Sequence, residues 1–181
     1  MAERTAVQKS LVGPSGEHFV LFRLYQQGML ASLSPPGSPT IDVLILAADE
    51  SVIATLQVKT RTRGADGGWH MGEKHEHISQ PRCFYAFVDL EVPVGSLPVT
   101  YIIPSSEVAK MVAASYRAWL EAPGKGGREH QDTPLRRVQP AHPYDVPDFP
   151  DGWMDRYRER WDLLKAVVGT GPADGKALPE G

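Results

Sequence analysis

Two apolar stretches separated by three polar residues constrain this chain more than any other feature. Ile41 to Ala48 and Val52 to Thr60 flank Asp49-Glu50-Ser51. The first stretch is apolar on both parities, so a strand there must be covered on both faces, as in the middle layer of an α/β protein. The polar triplet makes a turn, and the second stretch reads as the return strand of a hairpin. On that strand Val52, Ala54, Leu56 and Val58 share one face, while Ile53, Thr55, Gln57 and Lys59 share the other. Residues two apart on a strand project to one side roughly 6.6 Å from each other. Gln57 and Lys59 therefore converge, near the end where Asp42 enters the neighbouring strand.

Three polar side chains at one end of an apolar hairpin suggest chemistry. Asp42 and Gln57 carry hard oxygen donors, and Lys59 adds a fixed cation beside them. Phosphodiester hydrolysis needs oxygen ligands that hold a divalent cation and lower the pKa of a bound water. Each residue also has a plain structural role open to it. Asp42 could accept backbone N–H bonds in a turn, Gln57 could face solvent, and Lys59 could protect a sheet edge. Their convergence on one hairpin favours the site.

Further segments carry a family likeness. Gly13-Pro14-Ser15-Gly16-Glu17 is followed by Val20, Leu21, Leu24 and Gly28 at helical spacing. Trp69, Lys74, the run Phe84 to Leu90, Tyr101-Ile102-Ile103-Pro104-Ser105 and Trp119-Leu120 follow. With Asp42 and Gln57-Val58-Lys59, these segments resemble the PD-(D/E)XK nuclease superfamily, in its Holliday-junction-resolvase-like branch, over about residues 13–138. The resemblance implies a three-layer restriction-endonuclease-like α/β core. Its mixed sheet of four to five strands would be flanked by the Glu17 helix and by a helix over 105–121. It also implies Mg2+-dependent cleavage of DNA, with Mn2+ as a substitute. Asp42 would be the chief metal ligand, Gln57 and the Val58 carbonyl would complete the protein side, and Glu17 would add a carboxylate. Lys59 would orient the attacking water. Gln57 departs from the superfamily's usual acidic residue; an amide oxygen can ligate a hard cation but brings no charge. The alternative is a catalytically weak or inactive module of the same fold that binds DNA or another protein.

Composition bounds the rest. A chain of 181 residues with 41% apolar content can bury one substantial core. Cys83, the single cysteine, excludes an internal disulfide and suits a reducing cytoplasm. No apolar run reaches membrane-spanning length, and a homodimer is left open. A net charge of −3 is not that of a generic nucleic-acid binder, so DNA affinity would need a local patch. Residues 108–137 hold six basic against three acidic side chains, and 141–162 hold the reverse. Arg61, Arg63, Arg128, Arg136 and Arg137 are the candidate phosphate contacts, some of which are expected to anchor loops instead. His70, His75 and His77 stand near Glu73, Glu76 and Cys83, but spacings of five and two do not match a zinc site on a helix. A polar hairpin edge is the expectation there, with Trp69 on the core.

The organisation follows from the punctuation. Residues 1–12 form a lead-in, 13–138 the nuclease-like domain, 139–168 an extended proline-rich segment and a helix packed on the core, and 169–181 a disordered tail. Further strands are expected over 84–91 and 99–103. Ser105 is expected to cap the 105–121 helix, and Trp153, Tyr157, Trp161, Leu164 and Val168 to share one face of the last helix.

Overall fold

A computed structural model describes residues 5–62, 67–93 and 95–169. A short helix α1 (Ala6–Ser10) leads into α2 (Val12–Gln26), which Gly28 ends by taking a positive φ of 76° and donating its N–H to the Tyr25 carbonyl. The strands β1 (Ala31–Leu33), β2 (Val43–Leu46) and β3 (Val52–Arg61) form an antiparallel meander. β4 (Trp69–Gly72) precedes a 3-10 turn over Glu73–Glu76, and then β5 (Cys83–Asp89) and β6 (Val99–Pro104) return to the sheet. Next come α3 (Ser105–Glu121), β7 (Leu135–Val138) and α4 (Asp162–Gly169).

The main sheet has the order β1-β2-β3-β5-β6 and is mixed, because β3 and β5 run parallel while the other pairs are antiparallel. One face carries α2 and α4: Val20, Leu24 and Leu164 pack on Val43, Ile45, Leu56, Val58 and Ala86. The opposite face carries α3, whose Val108, Met111 and Val112 pack on Tyr85, Phe87 and Ile103. The layering matches the α/β expectation: β5 is buried on both faces, whereas β2, read as covered on both, buries Val43 and Ile45 and leaves Leu44 and Leu46 half-buried. The first strand of the hairpin is shorter than its apolar run. A bulge between Ile45 and Leu46 brings Val52 opposite Leu46 and leaves Val52 exposed.

Gly16 fixes how close α2 comes to the sheet. A Cβ at this buried glycine would lie 1.9 Å from Thr60 Oγ1, so the helix rests on β3 through bare backbone. That contact is one residue from Glu17 and one from Lys59.

Three expectations need correcting. The strand β7 pairs with β4 in a second small sheet, where a helix-flanked single sheet is the expectation. Ser105 does not cap α3; its hydroxyl donates to the Gln80 carbonyl and accepts from the Gln80 N–H, both at 3.0 Å, clamping the turn before β5. The last helix is shorter than expected. Trp153 and Tyr157 pack with α3 in a turn and a 3-10 segment, whereas Trp161, Leu164 and Val168 pack with α2 on the other side of the sheet. The chain between them passes the β6 edge, where Glu159 donates its N–H to the Thr100 carbonyl and accepts from the Thr100 N–H. Gly169, expected to open a tail, instead ends α4, and residues 170–181 lie outside the described residues.

Candidate functional site

Asp42 stands one residue before β2, its own N–H bonded to the Leu56 carbonyl of β3. Its Oδ2 accepts the backbone N–H of Val58 at 2.7 Å and the Gln57 amide Nε2 at 3.3 Å. The carboxylate is thus anchored to the strand that carries the other two polar residues, and both bonds end on one oxygen. Gln57 is only 5% exposed, and its Oε1 is buried with no hydrogen-bond partner among the described residues. An unpaired buried acceptor costs about 1–3 kcal/mol, so a donor or a cation at this oxygen would be stabilising.

Lys59 and Glu17 complete the cluster electrostatically. Burial pushes the Lys59 ammonium below the ordinary lysine value; Asp42 opposes this, Lys74 adds to it, and Glu17 opposes it. Burial and the Asp42 charge raise Glu17, against His18 and Lys59. Glu17 and Lys59 thus feel the Asp42 charge, while the Gln57 amide bonds Asp42 directly near the end where β2 and β3 part. The Gly16–Thr60 contact brings the start of α2, and Glu17 with it, down onto β3.

Two neighbours carried no such signal in the sequence. Lys74, in the 3-10 turn after β4, donates Nζ to the Pro39 carbonyl at 2.8 Å and tethers the proline loop beside Asp42. His75 is buried, not on a polar edge, and its Nδ1 is hydrogen-bonded to the Tyr85 hydroxyl at 2.7 Å. Burial, then Lys59 and Lys74, lower His75 to about 4, so the ring is neutral. Tyr85 is the register partner of Gln57, which places the pair in the floor beneath the cluster.

Among the described residues no group of three or more His, Cys, Asp or Glu could hold a metal ion. A cation here would need mixed oxygen donors: Asp42, Glu17, the Gln57 amide and the Val58 carbonyl. Hard, oxygen-only sets of this kind suit Mg2+ or Mn2+. The unpaired Gln57 oxygen and the raised Glu17 are features such a cation would relieve.

The arginines divide. Arg61 holds Asp89 through Nε at 2.9 Å, donates to the Gly67 carbonyl and lies 4.0 Å above the Trp69 ring. Arg136 is buried, pairs with Glu76, donates to the Thr133 carbonyl and covers the Tyr116 ring. Both hold loops in place. Arg128 and Arg137 are exposed, and Arg63 lies outside the described residues.

Among the described residues no helix is long and apolar enough to cross a membrane. No family model matches the sequence, and no curated protein matches it. Among solved structures the chain is similar to the bacterial homing endonuclease I-Ssp6803I, with 13% identity over 91% of this chain and 94% of that one and a TM-score of 0.47. At that identity and overlap the likeness lends no weight to an activity.

Proposed function

We propose that this chain cleaves phosphodiester bonds in DNA with a divalent metal ion, through a site of PD-(D/E)XK type. The observation that carries the reading is the Asp42–Gln57 contact at the end of the hairpin, with a buried, unpaired amide oxygen beside it. Asp42, Gln57, the Val58 carbonyl and Glu17 would hold Mg2+, or Mn2+ in its place. Bound there, the cation supplies positive charge to the phosphate oxygens and acidifies a water.

The chain's own residues do the rest. Val58 N–H and the Leu56 carbonyl fix Asp42, and both of its side-chain hydrogen bonds fall on Oδ2. Lys59 brings an ammonium to the point where a phosphate or a water would sit, and its partial burial strengthens that charge's local effect. Arg63, Arg128 and Arg137 stay candidate phosphate contacts, while Arg61 and Arg136 hold Asp89 and Glu76.

A second reading has one observation in its favour: the site offers two carboxylates and a neutral amide. A weakly bound cation would leave a DNA-binding module of the same fold. Anisotropy of labelled DNA over a salt series in Ca2+ tests the DNA-binding part common to both readings. Each phosphate contact should steepen the log–log slope by about 0.9, and Arg128→Ala with Arg137→Ala should flatten it by up to about two units. Absence of binding at low salt would sink both readings, whereas binding without cleavage in Mg2+ and Mn2+ would leave the second.

A further inference from the structure

A second concave feature lies on the α3 face. A cavity of about 230 Å3 opens between α3, β7 and the segment that follows it, and Tyr116, Trp119, Thr133, Arg137, Pro143 and Tyr144 contribute to its lining. Tyr116 and Trp119 stack with centroids 5.3 Å apart at 27°. The Tyr116 ring is held rigidly: its hydroxyl donates to Asp132, accepts the Thr133 N–H at 2.7 Å, and Arg136 covers one face. Across the cavity Tyr144 stacks on His142 with ring centroids 5.9 Å apart. Arg137 lies near enough to the Tyr144 hydroxyl to offset part of the rise that burial imposes on it. Rigid aromatic surfaces and one nearby guanidinium form the pattern that captures a planar heterocycle bearing an anion.

We propose that this cavity is a subsite for a single unpaired nucleotide, its base against Trp119 and Tyr144 and its phosphate at Arg137. Volume sets the limit. Drug-sized ligands occupy roughly 300–1,000 Å3, so this cavity takes one base and excludes a base pair. Stacking is tolerant of sequence, because every base has a π-face. The subsite is also joined to the Asp42 cluster. Arg136, which lines the cavity, pairs with Glu76, and Glu76 adjoins His75 beneath the cluster. As a statement about DNA substrates the inference rests on the nuclease reading and deepens it: the strand cut would carry an unpaired nucleotide, as at a flap, loop or single-stranded end.

Trp119 supplies the probe, because the other three tryptophans, Trp69, Trp153 and Trp161, are buried. Intrinsic fluorescence of the full chain would be titrated with dAMP and with a short single-stranded oligonucleotide, in EDTA. Saturable quenching is expected with both, at least fivefold weaker in Tyr144→Ala, and Arg137→Ala should weaken quenching by dAMP more than quenching by deoxyadenosine. Circular dichroism of both variants would confirm the fold. Quenching by neither ligand, or quenching unchanged in a folded Tyr144→Ala, would overturn the subsite. Because no metal is present, this result is independent of cleavage. Saturable quenching in a protein that never cuts DNA would refute the nuclease reading and keep the nucleotide subsite.

Discussion

The backbone N–H of Val58 donates to Asp42 Oδ2 at 2.7 Å, tying the carboxylate to the strand that carries Gln57 and Lys59. This bond explains why a residue outside any strand holds a fixed position. It also sets the first prediction. Asp42→Ala leaves the Val58 N–H without its partner and should cost about 1–3 kcal/mol in urea unfolding. Asp42→Asn keeps an acceptor and should cost less, yet lose Mn2+ binding. A free-Mn2+ resonance titration unchanged by Asp42→Asn would remove Asp42 from the metal set.

Gln57→Glu should reverse its effect with metal. Without a cation, a third carboxylate beside Asp42 and Glu17 repels both, so Tm should fall by several degrees. With a cation, the added charge should tighten binding, and Tm should rise with Mn2+ concentration more steeply than in the wild type. A Tm insensitive to Mn2+ in both proteins would show that no cation binds there.

Gly16→Ala tests what brings Glu17 to the site. The new Cβ would meet Thr60 Oγ1 at 1.9 Å, and overpacking of this kind typically costs about 1–3 kcal/mol. Thr60→Ala removes the colliding hydroxyl and methyl, so the double variant should regain a large part of the loss. Additive losses in the cycle would mean that α2 does not rest on β3 at this point.

Acid should weaken the fold through His75. Its folded value is lowered to about 4 from an ordinary 6.5, so the unfolded chain takes up a proton first as pH falls. The stability tied to the neutral ring is complete above pH 6.5 and is lost progressively as pH drops towards 4. The loss is on the order of 2–3 kcal/mol. His75→Leu combined with Tyr85→Phe removes both the titration and the hydroxyl that would be left unpaired. Its stability should therefore change less between pH 7 and pH 4.5 than that of the wild type; an identical acid limb would contradict the assignment.

What could be read from the sequence was local or strongly periodic. The hairpin, its polar end, α2 and α3 all follow from apolar spacing within one element. Strand alternation aims Gln57 and Lys59 the same way, and the Gln57 amide reaches Asp42 on the neighbouring chain segment. What escaped reading depends on partners far along the chain. Leu135-Arg136-Arg137-Val138 is a strand only because Trp69–Gly72 offers its edge, and Arg136 changes from a surface charge to an internal clamp when Glu76 meets it. The aromatic spacing from Trp153 to Val168 suggested one helix face. The chain instead crosses the β6 edge at Glu159, splitting those aromatics between the two sides of the sheet.

Metal-dependent DNA cleavage is the centre of the account, and conversion of supercoiled plasmid and of branched and single-stranded DNA in Mg2+ or Mn2+ tests it most directly. Wild type should cut at least one of these forms, lose the activity in EDTA, and fall by two or more orders of magnitude in Lys59→Ala, with folding near intact by circular dichroism. Lack of cleavage on every form with either metal, or cleavage that survives both Asp42→Asn and Lys59→Ala, would contradict it.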